Sequence, residues 1–279
     1  MEAEAVSPGR QGRGNGRFRR RSATMHRLEP AAIAGVMSRE IANFRTFWKA
    51  TAFSSTLEPV VYLLAFGLGL GATIVSGVDG LPYVEFVGTG MVATAVIFAS
   101  ALPAMFGTFV KHRFQQTYDA ILAAPVDVEE LVTAEMLWMG MRASVFGCFP
   151  LIVTMAFGLD PKPAMLLVPL FAFATALGFA AFGITMAAIV GKIDHFNYVT
   201  TLVITPLFLV AGTFFPIDQL PQGFQIAAQV NPLYQLVELV RGAAFGFDAY
   251  APLRLLALIA FSIALWRLAV NRMERRLID

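Results

Sequence analysis

Charge is scarce in this chain: of 279 residues only 14% are Asp, Glu, Lys or Arg, against about a quarter in soluble domains. Cysteine occurs once, at Cys148, which excludes a disulfide framework and a cysteine-rich zinc site. The histidines His26, His112 and His195 are too scattered for a histidine metal centre. Signatures of self-contained catalysis are missing as well. The nearest approach to a phosphate loop, GITMAAIVGKI at 183–193, spaces its glycines eight apart and ends on Ile193. A phosphate loop needs about five, and a Ser or Thr there for magnesium. Gly67, Gly69 and Gly71 follow no strand, so close helix packing through Gly67-x-x-x-Gly71 explains them better than dinucleotide binding. No Gly-x-Ser-x-Gly or His-Glu-x-x-His occurs, and Asp194-His195 has no nucleophile beside it. The chain is therefore expected to be no enzyme and to bind no cofactor or metal itself.

What is present is apolar length. The chain is 57% hydrophobic with a mean hydropathy of +0.66, and a spanning helix needs about 20 mostly apolar residues. Uncharged runs at 59–75, 86–110, 143–159, 163–191 and 196–217 qualify. A sixth, 249–269, carries Arg254 and Arg267 near its ends, where both can snorkel. The run 219–237, QLPQGFQIAAQVNPLYQLV, is different, because its amides and Asn231-Pro232 suit two short helices that dip into the membrane and return. Six spans give 17 basic residues on the side of both termini and three (Lys162, Arg241, Arg254) on the other, with Arg142 set aside. The positive-inside rule then puts both termini in the cytoplasm. Residues 1–27, with seven arginines and four glycines, are expected to be a disordered basic tail without a signal-peptide core, leaving 28–279 as the membrane domain.

Two further segments stand out. In 31–50, Ile33, Met37, Ile41, Phe44 and Trp48 recur at helical spacing, while Arg39, Glu40, Arg45 and Lys49 fall mainly elsewhere around the helix. This reads as an amphipathic interfacial helix. The stretch FQQTYDAILAAPVDVEELVTAEM, 114–136, holds five acidic residues and no basic one. Phe114, Tyr118, Ile121 and Leu122 form one apolar stripe of a short helix that Pro125 ends, and Asp127 is set to cap the next. Such a helix beneath the membrane suits a protein partner. Of the polar residues near the spans, Glu58 and Glu85 read as headgroup anchors. Arg142 can snorkel or pair with Glu135 or Asp119, and Glu238 can pair with Arg241. Pro206 is expected to kink the fifth span. Phe98, Phe106, Phe208, Phe214 and Phe215 are candidates to line an apolar route.

Three segments in order, QQTYDAILAAPVDVEELVTAEMLWMGMRA (115–143), TLVITPLFLVAGTFFPIDQLP (201–221) and QVNPLYQLVELVRG (229–242), resemble the permease subunit of ABC-2 type exporters. The branch they look most like includes nodulation lipo-oligosaccharide, polysaccharide and drug exporters. The resemblance implies an all-α polytopic protein of the inner membrane, with six spans. It makes Phe114, Gln115, Tyr118, Asp119, Ile121, Leu122, Ala124 and Pro125 the coupling helix that docks on a separate ATPase. Met37, Ile41, Phe44 and Trp48 become the gate helix. Pro216, Asp218, Pro221, Asn231, Pro232, Glu238 and Arg241 become the re-entrant hairpin. It further implies two ATPase subunits carrying ATP and magnesium, a second permease copy, membrane lipid around them, no nucleic acid, and an amphipathic or lipid-oligosaccharide cargo moved outward. A membrane scaffold that binds a cytoplasmic partner without transport is the alternative.

Overall fold

Long apolar runs in a bilayer leave the backbone no hydrogen-bonding partner but itself, and helices are the answer. A computed structural model describes residues 28–71, 77–78 and 80–278, so the basic tail and the end of the first apolar run lie outside the described residues, as does the Glu58 side chain. Eleven α-helices succeed one another among these residues: α1 (Pro30–Tyr62), α2 (Tyr83–Arg113), α3 (Thr117–Leu122), α4 (Val128–Gly147), α5 (Phe149–Ala156), α6 (Val168–Ile189), α7 (Phe196–Val199), α8 (Thr205–Leu209), α9 (Gln222–Val230), α10 (Pro232–Phe245) and α11 (Ala251–Ile278). No strand forms among them, only an isolated bridge between Val78 and Leu81.

Among the described residues, four helical stretches are long and apolar enough to cross a membrane: Tyr83–Arg113, Val128–Ala156, Pro163–Ile189 and Ala251–Leu277. The third run starts well before 143, because the capped helix that opens at Val128 continues straight into it. Residues 31–50 are likewise no separate helix. Nothing between 50 and 59 stops the backbone, and α1 carries on to Tyr62 and then into a π-helical stretch, Leu63–Leu70. The run 196–217 is not one helix either. It passes from α7 through a π-turn, Thr200–Ile204, into α8, and leaves helical geometry after Leu209. The irregularity falls just before Pro206, and the Thr205 hydroxyl donates to the Thr200 carbonyl at 3.0 Å.

The core runs along α2 and α6, with α4 and α11 packed on either side. Small residues make this possible. A Cβ on Gly183 would stand 2.5 Å from the Ala101 carbonyl oxygen and 2.8 Å from the Ala104 Cβ, so α2 and α6 touch backbone to backbone. Most buried hydroxyls along these helices bond back to their own turns, as Thr185 does to Ala181 and Ser100 to Val96, while the Thr94 hydroxyl on α2 stays unsatisfied. Gly183→Leu is expected to force the pair apart, costing at least the ~1–3 kcal/mol typical of overpacking. A thermal unfolding curve in detergent checks this; an unchanged midpoint would reject the close contact.

Candidate functional site

The short helix α3 hangs between the ends of α2 and α4. The chain leaves α2 through Gln116, whose left-handed backbone (φ 49°) turns it sharply. Helix α3 ends before Pro125, and α4 opens with a reciprocal cap: the Asp127 amide donates to Glu130 at 3.0 Å and the Asp127 side chain accepts from the Glu130 backbone. The other Glu130 oxygen accepts from the Glu29 amide at 2.8 Å, tying in the start of α1.

Below α3 lies a buried polar cluster. Lys111 of α2 sits 2.8 Å from Glu135 of α4 and 3.0 Å from Glu40 of α1. Arg39 reaches Glu40 at 3.0 Å from the rim. The Tyr118 hydroxyl donates to Glu135, and Thr108 donates to the same carboxylate oxygen at 3.2 Å. Burial, and then the adjacent Glu135 carboxylate, push the Tyr118 phenol well above its usual value, so it keeps its proton and remains a donor. Two carboxylates are matched by one lysine inside and one arginine at the edge. Four helices thus meet at one charge-neutral knot.

The stripe expected on α3 divides at the Gln116 turn. Tyr118 is 1% exposed, and Ile121 and Leu122 pack beside it against α4. Phe114, before the turn, is 69% exposed. Gln115, Asp119, Ala124 and Pro125 face outward too. Helix α1 presents a rotated face. Ile33, Val36, Met37 and Phe44 join the cluster of α3 and α4, with Phe44 edge-on to Trp138 at 5.5 Å. Ile41 and Trp48 lie exposed. Glu40 corrects the expectation of a polar back: it is buried on the packed face because Lys111 meets it there. Lys111 and Thr108 carry no signal in the sequence beyond their location at the end of a span.

Arg142 gives a second correction. Among the described residues it meets neither Glu135 nor Asp119; its guanidinium donates to the Ala99 carbonyl at 3.4 Å. Pro103 lies one turn further along α2 and has no N–H to offer that carbonyl. Arg142 fills the vacancy. A proline in one span and an arginine in the next are the sequence signal for such a contact.

On the far side of the bundle, Asn231 separates α9 from α10. Its side chain caps α10 at the Leu233 amide (3.0 Å) and donates to the Leu207 carbonyl (2.6 Å). Pro232 follows as the first helical residue. Pro216 is buried, Pro221 and Asp218 are exposed, and Gln225 donates to the carbonyls of Asp218 and Leu220. The expected Glu238–Arg241 pair forms at 3.6 Å. It belongs to a larger set: Arg254 contacts Glu238 and Asp248, each at 3.1 Å. Arg241 donates to the Gly212 carbonyl at 2.7 Å and lies 3.8 Å over the Phe86 ring. Arg241→Ala is therefore expected to destabilise this region by about 2–3 kcal/mol, against ~1 kcal/mol or less for Glu238→Gln, whose pairs are partly solvated. Proteolytic nicking between α8 and α10 measures both; equal sensitivity would contradict the ranking.

A family description, ABC-2 type transporter, matches residues 32–245. The chain belongs to that family. Nodulation protein J of Rhizobium meliloti (strain 1021) is 32% identical to this ABC-2 chain over 236 residues, 82% of this chain and 89% of that protein. Nodulation protein J of Rhizobium leguminosarum bv. viciae is 35% identical over 204 residues, 71% and 78% of the two chains. The inner membrane transport permease YadH of Escherichia coli (strain K12) is 23% identical over 255 residues, 90% and 98%. This ABC-2 protein is a membrane transport permease, and both the buried knot and the Asn231 cap lie within the matched residues.

Proposed function

We propose that this permease is the membrane subunit of an ATP-driven exporter and that α3 is its coupling helix. The observation that carries the reading is the Tyr118–Glu135 contact: it joins a small outward-facing helix to α4 and, through Lys111 and Glu40, to α2 and α1. A partner that pushes on the exposed Asp119, Ala124 and Pro125 then moves three long helices together. The partner is a separate ATPase that holds ATP and magnesium, because the permease has no phosphate loop of its own. Helix α1 serves as the gate helix, the segment 216–241 as a re-entrant hairpin, and α7–α8 with the end of α1 as two additional spans. Basic residues gather on one side, which supports six spans with both termini cytoplasmic in the inner membrane. Two permease copies and two ATPases complete the assembly. Ring contacts among Phe98, Phe208, Phe214 and Phe66 favour a cargo with a lipid portion, of lipid or oligosaccharide type. Affinity purification is expected to bring down an ATPase whose hydrolysis rate changes on binding. A partner without nucleotide hydrolysis would instead identify a scaffold.

A further inference from the structure

An apolar groove of about 330 Å³ opens between α4, α6 and α11. Leu255, Ile259 and Ile263 of α11 face Leu170 and Phe173 of α6, and Trp266 closes one end. Its one hydroxyl, Ser262, is spent on the Ala174 carbonyl at 2.6 Å. The Trp266 indole is held by Thr133 at 2.9 Å, so the wall is fixed.

Along α11 the residues Leu255, Ile259, Ile263 and Arg267 follow at intervals of four, on one stripe. Arg267 is exposed and has no hydrogen bond or ion pair among the described residues. The next acidic group on the helix, Glu274, lies about 10 Å further on and faces Glu129 and Asp127. From Leu255 to Arg267 is about 18 Å of helix, close to the ~15 Å of one leaflet's hydrocarbon. We propose that this groove holds one acyl chain of a phospholipid whose anionic headgroup is bound by Arg267, in the leaflet on the C-terminal side. Lipid tails are as apolar as the groove, so the chain alone gives no preference. The cation supplies the selectivity.

Trp266 provides the test. In a Trp48→Phe, Trp138→Phe background it is the sole tryptophan, and phospholipids brominated on their acyl chains quench it on contact. Brominated phosphatidylglycerol diluted into phosphatidylethanolamine vesicles is expected to bind about fivefold better than the converse mixture, which is what one cationic side chain provides near an anionic surface. Arg267→Gln should equalise the two, and Ala174→Leu should weaken both by filling the groove. Equal quenching by the two lipids in the unsubstituted groove means bulk contact only and overturns the proposal. Protection from both means a protein segment covers the groove and overturns it too. The otherwise unaltered chain supplies a second readout: mass spectrometry of lipid retained through detergent washing should show the anionic species falling about fivefold in Arg267→Gln. An unchanged ratio contradicts the site.

Discussion

Lys111→Met is expected to unfold the half of the bundle around the buried knot at markedly lower temperature than the unsubstituted permease. Among the described residues the lysine is the only cation that pairs with both carboxylates, 2.8 Å from Glu135 and 3.0 Å from Glu40. Both carboxylates are buried, at 2% and 7% side-chain exposure. Removing one partner of a buried ion pair leaves the other charge without compensation and costs about 3–5 kcal/mol. Most single substitutions cost only about 0.5–3 kcal/mol. Because the loss comes from the stranded charges, Lys111→Met with Glu135→Gln should be more stable than Lys111→Met alone. Tyr118 and Thr108 can still donate to the amide oxygen. Thermal midpoints of the single and double variants form a cycle that reads this coupling. Simple additivity would mean that the three charges do not act as a unit.

Ala124→Arg should do the reverse: leave the fold intact and abolish coupled transport. Ala124 is exposed just past α3, so an arginine there disturbs no packing, and stability should stay within about 0.5 kcal/mol. In a docked interface the same side chain must be desolvated without a prepared partner. Such burial costs several kcal/mol, and ~1.4 kcal/mol already represents a tenfold loss. Transport should therefore fall tenfold or more while the permease still inserts in the membrane. Normal transport would contradict the proposed docking of an ATPase on α3. Tyr118 cannot serve as this probe, although it belongs to the same expected coupling segment. Truncating a fully buried tyrosine to alanine costs about 3–5 kcal/mol, as for other large aromatics, so Tyr118→Ala would report folding and not docking.

The comparison between Ala124 and Tyr118 shows how far residue order carries. The apolar runs, the Pro125 stop, the Asp127 cap and the break at Asn231-Pro232 are local matters of hydropathy and backbone chemistry, and each is legible in the chain. The face of a helix that becomes buried is not local. Periodicity on α1 selected Ile33, Met37, Ile41, Phe44 and Trp48; Ile33, Met37 and Phe44 pack, joined by Val36 and Glu40, while Ile41 and Trp48 stay exposed, because α4 and Lys111 lie on the packed side. Arg142 and Pro103 are 39 positions apart, and only the packing of α4 on α2 brings the guanidinium to the carbonyl that the proline leaves free.

Composition alone determined that this protein lives in a bilayer as helices, because apolar sequence of that length has no other way to satisfy its backbone. Tertiary structure decided how the buried carboxylates Glu40 and Glu135 are neutralised, since a buried charge is tolerable only where it is paired and hydrogen-bonded, and Lys111 reaches both from another helix.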